Sequence, residues 1–171
     1  MKILQFKMGG EYSYNVTFET VTEKRKVQTN ESPTNDLLSV VSGVVVAAIK
    51  YFRFDNISPV FRQITFGYPD NGPECFVLEL TIRTKENVYV THTLKSERLI
   101  LLVDDATSND TNYQLRIDQK NDLVEKIKKL REEIEAYVLG ARMQQDLQFG
   151  DEGDDSESGD AGDELFDGEE D

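Results

Sequence analysis

The chain predicts an α+β fold: an antiparallel sheet in the order hairpin, helix, meander, helix, with the helices on one face and a disordered acidic tail behind. Three observations predict it. Apolar residues alternate with polar ones in residues 2–20 and again in residues 61–103, which is the period of half-buried strands. They recur at three- and four-residue spacing in residues 37–52 and 123–141, which is the period of helices packed by one face. The final 22 residues, 150–171, hold twelve Asp and Glu and no Lys or Arg. They leave 21 acids against 19 bases in residues 1–149, so a single near-neutral domain is expected there. A segment so acidic and so poor in apolar surface cannot offset its ordering entropy, and residues 150–171 are expected to be a disordered tether.

Element by element, Leu4, Phe6 and Met8 fall on one side of a first strand over residues 2–8, and Lys2, Gln5 and Lys7 mostly on the other. Gly9 and Gly10 supply a turn, and Tyr12, Tyr14, Val16 and Phe18 alternate in the answering strand. A third strand is expected around residues 24–28, ended by Asn30, Glu31, Ser32 and Pro33. Leu37, Leu38, Val41, Val44, Val45, Ala48, Ile49 and Phe52 then mark a buried helix capped by Asn35 or Asp36. The apolar run at 37–49 is 13 residues long, short of the ~20 that cross a bilayer. Residues 61–68, 75–83, 88–93 and 99–103 read as a meander, and 113–117 as a further short strand after a polar loop. Leu123, Ile127, Leu130, Ile134, Tyr137 and Ala141 define the last helix, with Asn121 as its cap and an end near Gly140. Its seam spans under three heptads, so packing on its own sheet is expected ahead of a coiled-coil dimer. Each half starts with a hairpin and ends with a helix, a hint of duplication.

Cys75 and His92 are each the single residue of their type. That excludes an intramolecular disulfide and zinc sites of the usual Cys and His kind. No Gly-rich phosphate loop precedes a helix and no nucleophile elbow occurs, so no catalytic residue, metal or cofactor is expected. Asp104, Asp105 and Asp110 read as a solvated loop before a weak cation site. The amino terminus lacks the apolar run of a secretion signal, so the chain is expected in the cytoplasm, off the membrane.

Binding is the function class left. Gln144, Leu147 and Phe149 resemble the short peptides by which bacterial replication proteins dock on the sliding clamp. An amide would fix the register and two apolar anchors would fill a pocket. The competing reading has Leu147 and Phe149 folded back on the body. Leu165 and Phe166, set among Asp163, Glu164 and Asp167, form a second candidate contact. The acidic tail resembles those of single-stranded DNA-binding proteins, which implies partner recruitment and competition with DNA. Here five residues follow Phe166, so the terminal-carboxylate part of that pattern is missing.

The alternative is a sheet that holds single-stranded DNA itself, with Lys7, Tyr12, Tyr14, Lys24, Arg25 and Lys26 as contacts and the tail as autoinhibitor. Alternation assigns most strand aromatics to the covered face, leaving Tyr12 and Tyr14 as the exceptions. A third reading is a DNA-mimicking inhibitor of a host defence or DNA-processing protein.

Residues 32–49, and above all Tyr137, Gly140, Arg142 and Gln144 running to Leu147 and Phe149, are similar to an uncharacterised group of small prophage proteins of Firmicutes. The resemblance implies a paired hairpin-and-helix body and a last helix ending Tyr-x-x-Gly-x-Arg-x-Gln. It also implies a phage or mobile-element setting beside replication and recombination genes, and no activity. The expected protein is thus a non-enzymatic accessory of DNA replication or recombination acting through carboxy-terminal peptide contacts.

Overall fold

The computed structural model describes residues 1–9, 14–29, 33–54, 57–83 and 91–148, with backbone alone for 29, 83, 91 and 141–148. Seven strands and two helices follow the order β1 (Lys2–Met8), β2 (Tyr14–Glu19), β3 (Lys24–Thr29), α1 (Asn35–Phe52), β4 (Pro59–Gly67), β5 (Cys75–Arg83), β6 (Thr91–Lys95), β7 (Leu99–Ile100) and α2 (Thr111–Gln148). The sheet runs β3-β2-β1-β4-β5-β6, with β7 also paired to β5, and every pairing is antiparallel. The expected α+β class with both helices on one face is therefore present.

Its seam is the β1–β4 pair, where Phe6 faces Ile64 and Gln5 faces Thr65. Each half contributes its first strand to the centre and fans outward. A register shift falls between Ile3 and Gln5 in β1, and another between Phe61 and Gln63 in β4. One extra residue at each place, Leu4 or Arg62, turns two apolar residues three apart onto the same face. Ile3 and Phe6 are therefore both buried, as are Phe61 and Ile64. This corrects the simple alternation through Leu4, since a bulge leaves no trace in a period-two pattern.

Helix α1 starts at Thr34, whose side chain accepts from the Leu37 N–H at 3.2 Å, one to two positions before the expected Asn35 or Asp36. Leu37, Val40, Val41, Val44, Ala47 and Ala48 form its buried face. By length and composition α1 could cross a membrane, yet that inner face lies in the core cluster. Helix α2 begins at Thr111, so the short strand expected at 113–117 is helical instead. Asp110 Oδ1 accepts from the Asn112 and Tyr113 N–H groups at 2.9 and 3.3 Å and sets that start. Asn121 is no cap: its amide bonds both the N–H and the carbonyl of Asp104 at 2.8 Å, pinning the 104–110 loop to the helix.

Nor does α2 stop near Gly140; it runs 38 residues to Gln148. Leu123, Val124, Ile127, Leu130, Ile134 and Val138 are buried, packing chiefly along α1 rather than on the sheet. Where the helices do touch strands they cross over. Helix α1 packs on β4 and α2 on β1, so each half lays its helix on the other half's first strand. Of the expected strand at 99–103, only Leu99 and Ile100 pair. Between β6 and β7 the ladder is patched by Ser96, whose Oγ accepts from the Leu78 N–H at 2.9 Å.

Candidate functional site

Helix α1 ends in a way that shapes a recess beside strands β5 and β6. Arg53 adopts the left-handed conformation, φ 56 and ψ 49, with its N–H on the Lys50 carbonyl, while the Phe54 N–H reaches the Ile49 carbonyl at 3.0 Å. This is a Schellman-type stop, normally made by glycine because a Cβ there is strained by roughly 1–2 kcal/mol. An arginine at this position keeps a cation where glycine would be easier. The turn also folds Phe54 back on Phe52, ring centres 5.6 Å apart, with Tyr51 edge-on to Phe52 at 5.0 Å.

These rings wall a cavity of about 510 Å³, within the roughly 300–1,000 Å³ range of ligand pockets. Its floor is the helix-side face of β5 and β6, Leu78, Leu80 and Leu94, joined by Leu99. Register explains the floor: Leu80 pairs with Leu94, so both leucines present the same face. Arg53 from the α1 stop and Arg116 from the start of α2 stand at the mouth, with Glu97 as the acid there. Both arginines are exposed, and neither is ion-paired among the described residues. Lys95 borders the rim but is held to Glu79 at 3.5 Å. An apolar, aromatic-walled recess with two guanidinium groups that lack an ion pair among the described residues suits an apolar group carried on an anionic frame.

The face of the sheet away from the helices is a second surface. Cross-strand register places Lys2, Lys7, Lys24, Lys26 and Lys95 there, against Glu19 and Glu79. Arg62, at the bulge, donates to Thr93 Oγ1 on the same side. Between them lie Gln5, Asn15, Thr17, Gln63 and Thr65, and none of these polar residues is fully buried. Arg25 does not join this group, because it pairs with Phe18 and faces the helix side beside its ion partner Glu23. Tyr14 is also displaced from its expected role: it is 5% exposed and stacks on Phe6 at 6.1 Å within the core. Phe6, Phe18, Phe66 and Phe76 are buried likewise, so none of these rings is open to a base.

Gln144 and Leu147 lie on the backbone of α2, beyond Val138, the last buried one among the residues whose side chains are described. A Cβ placed on Gly140 would meet nothing within 4 Å. Tyr12, Phe149, Leu165 and Phe166 lie outside the described residues, as do residues 150–171. The Asp104 carboxylate is occupied by Lys120 and the Ala106 N–H, and Asp110 caps α2; no group of three or more metal-ligating side chains occurs among the described residues. The pocket was missed in the sequence because its wall, floor and mouth come from four separate stretches. The signal that could have found it is the aromatic triplet around Arg53, where a helix stop calls for glycine.

No family model matches the chain, and neither a curated protein nor a solved structure is significantly similar to it.

Proposed function

We propose that the protein is a non-enzymatic binding protein of a phage or mobile element, working in the host cytoplasm as an accessory of DNA replication or recombination through peptide contacts at its carboxy-terminal end. The observation that supports this reading is the length of α2, whose backbone stays helical to Gln148. Ten residues follow Val138, the last buried one among the residues whose side chains are described, and at 1.5 Å each they carry the helical backbone about 15 Å further along its axis. Gln144 and Leu147 lie on that last stretch of helix, and Phe149, Leu165 and Phe166 follow it in the chain. A partner would read Gln144 and Leu147 from helical backbone, with an amide to fix register and apolar anchors to supply affinity. The test is binding of the full chain to purified bacterial sliding clamp on a biosensor, beside the variant Leu147→Ala with Phe149→Ala. The expected outcome is a loss of tenfold or more in the variant; no binding, or equal binding, sinks the clamp as partner.

The basic outer face supports a second reading, direct binding of single-stranded DNA. With the ring residues buried, its contacts would be phosphate contacts by Lys2, Lys7, Lys24 and Lys26, and hence strongly salt-dependent. Lys24→Glu with Lys26→Glu should then weaken DNA binding and flatten its dependence on salt. Affinity unchanged by that pair removes this reading.

A further inference from the structure

We infer that the pocket between the end of α1 and strands β5 and β6 receives the acidic Leu165 and Phe166 segment of a second copy of this chain. The chemistry of the two sites is complementary. Residues 163–167 place two adjacent apolar side chains between Asp163 and Glu164 on one side and Asp167 on the other. The pocket offers a leucine floor, an aromatic wall of Tyr51, Phe52 and Phe54, and the Arg53 and Arg116 guanidinium groups at its mouth. A phenyl ring entering there gains both buried apolar area and ring contacts with that wall. The flanking carboxylates meet guanidinium groups that lack an ion partner among the described residues, in the charge-assisted pairing arginine favours.

Chain length assigns the occupant to a neighbour. Arg116 and Gln148 are 32 residues apart on one helix, about 48 Å at 1.5 Å per residue. The 17 residues from Phe149 to Leu165 span at most about 56–61 Å fully extended. As a flexible chain they have a root-mean-square reach of only about 21–25 Å. A chain could fill its own pocket only when nearly stretched straight, whereas another copy carries no such cost. Reciprocal exchange gives a dimer that leaves both arms occupied and unable to recruit a third protein. This inference does not require the partner proposed above, since exchange between copies needs no other macromolecule.

The experiment uses the full chain. Sedimentation of the wild type from 1 to 300 μM should show mass rising with concentration and falling back in 0.5 M salt, while Leu165→Ala with Phe166→Ala stays monomeric. That double variant, its own arm silenced, should bind a fluorescent peptide of residues 158–171. Adding Arg53→Asn and Arg116→Glu should weaken the peptide at least tenfold; asparagine tolerates the left-handed backbone at 53. Circular dichroism confirms that the four-site variant is folded. The inference is overturned if the peptide binds no better than one with alanine at 165 and 166, or equally well to the rim variant. Peptide binding without any rise in mass of the wild type overturns the exchange between copies. Clamp binding is read separately, through Leu147 and Phe149, so either idea can fail alone.

Discussion

The two halves of the molecule, β1–β3 with α1 and β4–β7 with α2, share a plan and differ in how their helices end. Each sends its first strand to the seam, bulges it by one residue, and returns a helix onto the other half's first strand. Helix α1 has 18 residues and stops hard at the Arg53 turn, leaving β5 and β6 partly uncovered and so opening the pocket. Helix α2 has 38 and continues ten residues beyond Val138, the last buried one among the residues whose side chains are described. One frame thus carries a pocket at the end of the shorter helix and a long helical extension in the other half.

The strongest way to break that comparison is at the seam. Phe6→Ala should cost about 3–5 kcal/mol, the usual loss for a buried phenylalanine, because Phe6 is fully buried between Tyr14 and Phe61. Denaturant unfolding followed by far-ultraviolet dichroism and by tyrosine emission should show one transition. Separate melting of the halves would contradict their interlocking. A smaller effect sharpens the contrast at the second half's hairpin. A Cβ on Gly67 would stand 2.6 Å from Cys75 Sγ, which is itself fixed by Arg98 Nε at 2.8 Å. Gly67→Ala should therefore cost about 1–3 kcal/mol, and adding Cys75→Ala should recover part of it. No recovery would move the cause away from the sulfur.

The smallest effect is at Tyr68, which ties the second half to the first by donating its hydroxyl to the Ile3 carbonyl at 2.9 Å. Tyr68→Phe should cost about 1 kcal/mol near neutral pH. Burial lifts the phenol above its ordinary 10.0, with Arg131 beside it pulling the other way. The folded state then holds this proton more tightly than the unfolded chain does. Its contribution is fully present below pH 10.0 and is lost as pH rises through the higher folded value. Melting temperature should fall less steeply in Tyr68→Phe than in the wild type between pH 9 and 11. Equal slopes would show that ionisation of this phenol carries none of the alkaline instability.

Much of the frame was legible because its signals are local. The bounds of β1 and β5 follow from alternation, the span of α1 from its buried valines, and the core stripe of α2 from the steps between Leu123 and Ile134. What failed depends on partners distant in the chain. Tyr113, Leu115 and Ile117 alternate like a strand, but the Asp110 cap starts a helix there and leaves Tyr113 and Leu115 exposed. Tyr14 reads as a surface ring until the helices close over it. The pocket needs residues from 51 to 116 brought together, and no window of sequence contains it.

Crossed packing of the helices also bears on how the polypeptide matures on the ribosome. When β4 has just been made, α1 can settle, but the cover for β1 is still unsynthesised, since the stripe of α2 is complete only at Val138. About 70 more residues at roughly 5–20 per second mean a wait of about 4–14 s. For that interval the face of β1 that α2 contacts in the finished fold is still without that cover, so the first half reaches its final packing only after the last helix has emerged.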